Sequence, residues 1–567
     1  MSRANELELH VGFYEDPTNI LAAYQYLKDP PPPYVRLHSN LEGTVNGLLP
    51  WQITGYNKLI KNEDIKASIV AWCVGAGKTA AMASAILHHR HEHPFDIAFC
   101  VVKSHNKIDT QRKLKSLADI EATIIDGPKQ KRVAAYQDLI GKTDSVIILN
   151  YEKIREDFED MIPLVTDRGC LFFLDEAPTK LANRQTQLYK SVKKLLYSSF
   201  PNKPRPAWMR HWALTATPVE NSPEDVWSVV NLMRPGSLGT IKDFYNKYVA
   251  STSFFSGKPD SWKNLDAFEA RLQFMTHRVS KDDPQVKAMF PDVIDHPLTI
   301  DWNHKHLSIY DKITGRAQDM VDGMDDVNIL ALIQILQMMC DAPSMIRTSA
   351  NNRTAFYEML DNLGQGDHIP GVTQGSDVAL MLIDALGADT FTDEGHSKLA
   401  TWGEIITVKH PEDKIVTHST WADYIFPVWT NYLDSLGVSY VVYRGSTKEK
   451  QEALDAFRND PSIRCFLSGD AGSDSIDISE AAVGVNYNIP WKWTTLQQRE
   501  GRRDRVNSNH EQIHTYTLTM PFSVDERKMD ICQRKYAYHA QLFDGKAKEE
   551  VLSARLTRAD LLYMLFG

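Results

Sequence analysis

Residues 68–87, SIVAWCVGAGKTAAMASAIL, constrain the fold more than any other part of this 567-residue chain. An apolar run that fits a buried strand passes through a short glycine-containing turn straight into an alanine-rich helical pattern. Gly75 and Gly77 let the backbone curl with its N–H groups turned inward at the helix start, where the dipole and the unpaired donors favour an anion. Lys78 then reaches the β- and γ-phosphates of a nucleotide, and the Thr79 hydroxyl sits on Mg2+. Gly75, Ala76, Gly77, Lys78 and Thr79 are therefore the candidate phosphate-binding residues, with Thr79 also a candidate metal ligand. The competing view, a flexible loop with an incidental lysine, leaves the flanking strand and helix unexplained. Trp72 stands where the longer G-x-x-x-x-G-K-T pattern has its first glycine, so the match is to the shorter G-x-G-K-T form.

That strand is one of a series. From Leu48 to about Arg234, the runs ASIVAW, FDIAFCVV, SVIILN and CLFFLD alternate with helical stretches such as KTAAMASAILHHR. Strands buried on both faces need continuous apolar runs, so the alternation predicts a parallel sheet covered by helices. In GCLFFLDEAPTK the strand ends in Asp175 and Glu176. Beside a phosphate loop, Asp175 can hold Mg2+ and Glu176 can orient and deprotonate an attacking water; alone, the same residues would be a strand followed by a polar turn. WALTATPVENS is another strand, ending in hydroxyl residues able to relay the state of the phosphate site to a bound strand.

At about Pro235 the pattern changes. NILALIQILQMM is helical in period and NLGQGDHIPGVTQGSD is loop-like, so residues 236–396 are expected to be helical insertions and a linker. From Ser397 the alternation returns with DKIVTH, VSYVVY, RCFLSG and GVNYNI, and two helical segments close the chain after Asp525. Residues 1–45 hold a short helical pattern and then the four prolines of KDPPPPYVRLHSN, which cannot continue a helix. The expected division is an N-terminal appendix and stiff connector (1–45), a first α/β lobe (46–235), helical insertions and a linker (236–396), a second α/β lobe (397–525) and a C-terminal helical brace (526–567).

A net charge of −10 gives the chain no global basic field, so any nucleic acid must be held by local cations and backbone groups. The six cysteines, Cys73, Cys100, Cys170, Cys340, Cys465 and Cys532, lie singly among apolar neighbours and read as buried thiols of a reducing compartment, cytoplasmic or nuclear. MSRANELELH carries two glutamates where a signal peptide needs an apolar core, and the run from Val327 to Cys340 is too short to cross a bilayer, so no membrane partner is expected. His88, His89, His91 and His93 in HHRHEH lie at the polar end of the helix after the glycine turn, with no cysteine or acid cluster to complete a metal site.

Twelve segments in order, LLPWQITGYNKLI, GAGKT, VVKSHNKIDTQRKL, VIILNYEKIRED, FLDEAP, LTATPVENSPEDVWSVVNLMRPGSLG, HSKLATWGEII, KIVTHST, YRGST, LSGDAGSDSIDIS, NIPWKW and QQREGRRDR, resemble the helicase motifs of superfamily two, and in detail its Swi/Snf-type branch, which includes compact viral and phage members. The similarity runs from about residue 47 to the end, where LTRADLLYMLFG resembles the tail of bacterial members. It implies an α/β architecture of two RecA-like parallel-sheet lobes, ATP and Mg2+ as cofactors, and a DNA-stimulated ATPase that moves along double-stranded DNA and remodels DNA or protein–DNA complexes. A strand-separating helicase on single-stranded DNA or RNA, and a viral nucleoside triphosphatase acting in transcription beside an RNA polymerase, fit the same motifs. From another class comes a non-catalytic nucleic-acid clamp, against which the joint presence of Lys78, Glu176, Arg502 and Arg505 argues.

Residue by residue, the resemblance gives Gln498, Gly501, Arg502 and Arg505 the places of the Q-x-x-G-R-x-x-R motif, whose two arginines reach the γ-phosphate from the second lobe. A planar, always-charged fork suits oxygens gaining charge, and such a finger contributes roughly 10³ to 10⁵ in rate in GTPases. Arg499 and Arg503 are not motif positions and read as a solvated face. Gln52 matches the adenine-reading glutamine, with Trp51 beside it. For nucleic-acid phosphates the candidates are Lys103, Ser104, Tyr151, Thr215, Thr217, Ser419, Arg444 and Ser468, and Trp491 and Trp493 are expected to pack the lobe. The chain departs from the branch in lacking DEMGLGKT, in DEAP where DEGH or DEAH is usual, and in the serines of AGSDSIDIS, where Asp477 fits the wider superfamily.

Overall fold

The computed structural model describes residues 48–62, 65–197, 208–216, 223–252, 259–320, 326–351, 382–470, 476–506, 508–543, 551–552 and 558–567. The expected N-terminal appendix, the loop-like stretch 362–377 and Thr217 lie outside these ranges. The chain divides into two compact units, one of Met1–Met289 with Tyr538–Ala554, the other of Phe290–Ala537 with Arg555–Gly567.

The first unit is built on β1 (Ala67–Trp72), β2 (Ile97–Val102), β3 (Thr123–Ile124), β4 (Ser145–Asn150), β5 (Gly169–Asp175), β6 (Trp208–Thr215), β7 (Val249–Thr252), β8 (Pro259–Trp262) and β9 (Thr276–Val279). A 7-stranded sheet runs in the order β3-β4-β2-β5-β6-β1-β9, and every pairing in it is parallel. All six residues of β2 are buried, as a strand covered on both faces requires. Register makes the packing specific: Phe99 lies opposite Phe172 and the rings stack at 4.3 Å, while Phe173 lies opposite Trp212 and stacks at 4.9 Å. The helix Lys78–His91 is buried from Ala80 to His89, its alanines letting it lie close to its neighbours. The histidine run is absorbed into this packing: Nδ1 of His88 meets the Tyr56 hydroxyl at 2.9 Å, and His89 stacks on Trp208 and stands edge-on to Trp212. Burial pushes His89 down to about 3, so it is neutral.

The segment 236–396, read as helical insertions and a linker, does contain helices, among them Ile241–Tyr248, Leu265–Gln273, His304–Met320 and Asp326–Asp341, but it also supplies strands to both units. β9 joins the first sheet beside β1, and β7 and β8 form an antiparallel pair. β10 (Asp292–Thr299) belongs to the second unit with β11 (Ile415–Ser419), β12 (Tyr440–Tyr443), β13 (Cys465–Gly469), β14 (Val483–Asn486) and β15 (Gln512–Thr519). These six form another parallel sheet, in the order β10-β15-β14-β11-β13-β12. The short β16 (Val551–Leu552) returns to the first unit, where it pairs antiparallel with β8. Among the described residues no helix is long and apolar enough to cross a membrane.

The core of the second unit holds charge. Lys398, on the helix Ser397–Glu404, is fully buried; its Nζ donates to Asp341 Oδ1 at 2.9 Å and to Asp525 Oδ2. The Gln337 amide also donates to Asp525, the Asn488 amide donates to Asp341 Oδ2 at 2.7 Å, and the Tyr487 hydroxyl donates to the Asp341 carbonyl at 2.8 Å. Three helices, Asp326–Asp341, Ser397–Glu404 and Val524–Phe543, are thereby fixed to the chain after β14. Burial alone would lower the Lys398 pKa, yet the two carboxylates hold it above its ordinary value, while burial carries Asp341 up to about 6 against the pull of Lys398. Removing one member of such a group strands the others without water. Lys398→Met is expected to cost about 3–5 kcal/mol, read as a lower urea midpoint; a midpoint equal to the parent's would show that this cluster does not hold the second unit together.

Candidate active site

In the first unit the carboxyl ends of β1, β6 and β5 lie side by side, with Ala71 opposite Thr215 and Leu214 opposite Asp175. Open parallel sheets place ligands at this edge. The turn after β1 has Gly75 at φ 84° and Gly77 at φ 84°, ψ 44°, left-handed values that glycine adopts without steric cost, and Gly77 caps the helix that begins at Lys78. The Ala76 carbonyl is held twice, by Trp51 Nε1 at 3.1 Å and Gln52 Nε2 at 3.0 Å, while Gln52 Oε1 accepts from the Leu49 N–H at 3.0 Å. Gln52, expected to read adenine, thus braces the turn. Trp72, in the place of the missing first glycine, is buried and donates to His277 Nδ1 at 2.8 Å. Cys73, expected to be buried, is half-exposed at the start of the turn; the other five cysteines are buried.

Lys78 Nζ lies 3.6 Å from Glu176 Oε1 and 3.4 Å from the Trp72 carbonyl. Glu176 is buried in a left-handed conformation, φ 51° and ψ 44°, at the cap of the helix Ala177–Leu181. Such a backbone costs about 1–2 kcal/mol for a residue with a Cβ and clusters at functional sites. No spacing in the sequence announces it. The Thr215 hydroxyl donates to Glu176 Oε2 at 3.3 Å and the Tyr151 hydroxyl donates to the Asp175 carbonyl at 2.7 Å. Both side chains, expected as nucleic-acid contacts, are fully buried here, Thr215 against the Glu176 carboxylate and Tyr151 against the main chain of Asp175. Burial, then the neighbouring Glu176 charge, raises Asp175 to about 6, against the pull of Lys78 and Lys103. A cation added there would lower it again, so the donor set of Thr79 and Asp175 fits Mg2+. Of the remaining candidates in this unit, Lys103 is buried and Ser104 is exposed at the start of a short 3-10 turn.

In the second unit Gln498 is half-buried on the helix Trp493–Glu500, and Gly501 follows at its end. Arg502 is fully buried; its Nη1 donates to His418 Nδ1 at 3.0 Å and reaches Ser468 Oγ at 3.5 Å, at the ends of β11 and β13. Burial, then the adjacent Arg502, Arg499 and Arg503, push the His418 pKa well below its ordinary value, which leaves a neutral ring able to accept from the guanidinium. Arg505 is less enclosed, donating to the Ile476 carbonyl at 2.7 Å with Asp477 Oδ1 at 3.5 Å. Arg499 and Arg503, expected on a solvated face, are fully buried instead. Arg503 donates to the His514 carbonyl at 3.0 Å and Thr515 Oγ1 at 2.7 Å, and burial carries it down to about 10. Ser419, expected as a nucleic-acid contact, is buried, accepting from the Trp421 N–H and the Asn488 amide, and Ser468, expected likewise, is buried against Arg502. Arg444 is exposed, 3.9 Å from Asp423. Trp491 packs in the core with the Lys528 ammonium 4.4 Å over its ring, and Trp493 is half-buried.

Comparison with known proteins adds the following. A model of the SNF2-related domain matches residues 51–345, and one of the helicase conserved C-terminal domain matches residues 397–507. The chain is 24% identical over 380 residues to the uncharacterized ATP-dependent helicase YqhH of Bacillus subtilis, covering 64% of this chain and 58% of that one. It is 22% identical to the ISWI chromatin-remodeling complex ATPase ISW1 of Saccharomyces cerevisiae, over 87% of this chain and 40% of that one, and 23% identical to the putative helicase 172L of Invertebrate iridescent virus 6, over 68% and 64%. The chain thus spans only about half the length of the curated relatives it matches. Among solved structures, a Sulfolobus solfataricus SWI2/SNF2 ATPase core in complex with dsDNA is 18% identical, with 94% of this chain and 99% of that one covered and a TM-score of 0.37. The Hef helicase domain of Pyrococcus furiosus is 13% identical, with 85% and 97% covered and a TM-score of 0.47.

The glycine turn makes a sharp prediction. A Cβ on Gly77 would collide with Nε2 of Gln52, whereas at Gly141, also left-handed at φ 81°, nothing lies within 4 Å. Gly141→Ala is expected to cost about 1–2 kcal/mol for its backbone alone, and Gly77→Ala clearly more because Gln52 must move; equal denaturation midpoints for the two variants would show that the brace is soft.

Proposed function

The chain belongs to the SNF2-related family of helicase-type ATPases, and from that premise we propose that it hydrolyses ATP in response to DNA, moves along the duplex and thereby remodels DNA or protein–DNA complexes. The observation that carries the reading is the edge of the first sheet, where Lys78, Asp175, Glu176 and Thr215 converge behind a left-handed glycine turn. Lys78, released from Glu176, meets the terminal phosphate. Glu176, steadied by Thr215, takes the proton of the attacking water. Thr79 and Asp175 would hold Mg2+, which would supply neutralisation of the charge developing on the phosphate oxygens. Gln52 keeps one N–H and one carbonyl lone pair beyond those spent on Ala76 and Leu49, enough to pair with an adenine edge. Arg505, the less enclosed of the two motif arginines, is assigned the transition-state role; Arg502 supports it from the ends of β11 and β13.

Duplex DNA is favoured by the family and by a relative named as a chromatin-remodeling ATPase; other relatives named as helicases keep single strands in view. Exposed Ser104 and Arg444, with Lys103 behind, are the phosphate contacts that remain to be tested, and Thr217 is retained from the motif.

Phosphate release measured without polymer and with duplex DNA, single-stranded DNA or RNA separates the readings. Duplex is expected to stimulate most; stimulation by single strands alone would favour a strand-separating helicase, and no turnover in any arm would favour a clamp. In the same assay Glu176→Gln should keep ATP binding yet lower kcat by about 10²–10⁴-fold, and an unaltered kcat would remove Glu176 from the mechanism.

A further inference from the structure

Trp72 closes β1 just before the glycine turn, and neither it nor His277 falls in the motif segments that carry the resemblance. The indole Nε1 donates to His277 Nδ1 at 2.8 Å on the neighbouring strand β9, and the two rings stand edge to face with centroids 6.0 Å apart. Burial, then the Lys58 charge, push the His277 pKa down to about 3, so its ring is neutral and accepts. Both rings meet the helix Pro50–Leu59 at Gly55. A Cβ placed there would lie 2.6 Å from Trp72 Cζ2 and 2.9 Å from His277 Nδ1, so only a residue without a side chain lets the helix sit this deep.

The helix seated on this pair carries Gln52. Gly55 follows it by three residues, which puts the two on one face a turn apart. At the start of the helix Trp51 and Gln52 both donate to the Ala76 carbonyl; near its end Lys58 Nζ donates to the Gln273 and Thr276 carbonyls at 2.7 and 2.8 Å, the second of these at the start of β9. The Gln52 amide has one orientation, Nε2 toward the Ala76 carbonyl and Oε1 toward the Leu49 N–H; turned over, it would set acceptor against acceptor and donor against donor. In that orientation its remaining N–H and lone pair suit adenine. Guanine carries the acceptor O6 where adenine has its amino donor, and meets the amide oxygen with another oxygen.

We propose that Trp72 and His277 are positioning residues for base selection: by fixing how deep the helix Pro50–Leu59 sits at Gly55, they hold the Gln52 amide where it takes adenine and refuses guanine. The inference rests on the ATP reading above and adds the device that enforces the choice of base. A methyl group at Gly55 forces the helix back by about 1 Å before carbon meets carbon at ordinary separation. That displacement breaks the 3.0 Å bond from Gln52 to Ala76 and frees the amide to turn over for guanine.

The test uses the full chain with Gly55→Ala, His277→Leu and His277→Gln beside wild type. Turnover of ATP and of GTP with saturating duplex DNA gives kcat and KM for each nucleotide, and thermal midpoints are measured alongside. Gly55→Ala and His277→Leu are each expected to lose about tenfold of the ATP-over-GTP ratio of kcat/KM, through a higher KM for ATP, while kcat at saturating ATP stays within about twofold of wild type. His277→Gln keeps an acceptor for the indole N–H and is expected to hold the ratio within about twofold. Ratios equal to wild type in the first two variants overturn the proposal. So does an equal loss in His277→Leu and His277→Gln, and so does a fall of kcat with both nucleotides in proportion to a lowered midpoint, which is what a merely structural contact gives. Should Gly55→Ala fail to fold, the two His277 variants carry the same test. Wild type that turns over neither nucleotide, or both equally well, sinks the ATP reading and this one together; wild type that prefers ATP, with unaltered variants, sinks this one alone.

Discussion

Parallel strands covered on both faces leave polar chemistry only one place to emerge, the row of carboxyl ends where strands turn into loops. Both sheets obey this constraint. In the first, Trp72, Asp175 and Thr215 end adjacent strands and bring the glycine turn, the two acids and a hydroxyl to one edge. In the second, Ser419, Gly469 and Asn486 end β11, β13 and β14, and the arginines of the following segment are drawn onto that row. The apolar interiors of the strands fix where these ends fall, because sliding any strand against its neighbours would break stacked pairs such as Phe99 with Phe172.

Concentrating polar groups at a strand edge inside a dense protein shifts their protonation. His418 is kept neutral among three arginines, and the Asp175 pKa is raised by its burial beside Glu176. The two cases run in opposite senses for one reason: burial disfavours charge, and a like-charged neighbour adds to it. The first gives an arginine an acceptor that does not compete for positive charge; the second leaves a carboxylate whose charge a nearby cation would stabilise.

Much of this was legible in the sequence because it depends on local pattern. ASIVAW, SVIILN and CLFFLD are strands, KTAAMASAILHHR is a helix, and the glycine turn lies between strand and helix as G-x-G-K-T implies. What was not legible depends on partners far along the chain. Tyr151, Thr215, Ser419 and Ser468 have the composition of phosphate contacts, but their hydroxyls are engaged internally, and only the fold shows with what. Arg499 and Arg503 look like a solvated face because arginines clustered in one segment usually are one; the Asp470 carboxylate and Asn488 carbonyl meet Arg499, and the His514 carbonyl and Thr515 hydroxyl meet Arg503, inside the fold. β7 to β10 were hidden in a helical region because they are short or interrupted, as Pro297 interrupts the alternation of β10.

β16 gives the architecture a temporal side. It belongs to the unit that is otherwise complete by Met289, yet it is made roughly 290 residues after the β8 strand it covers. At ribosomal speeds that interval is on the order of 15–60 s. Throughout it the nascent polypeptide carries an uncapped β8 margin, open to mispairing, so the order of synthesis and the order of assembly differ, and the first unit must remain protected until Val551 and Leu552 have been made.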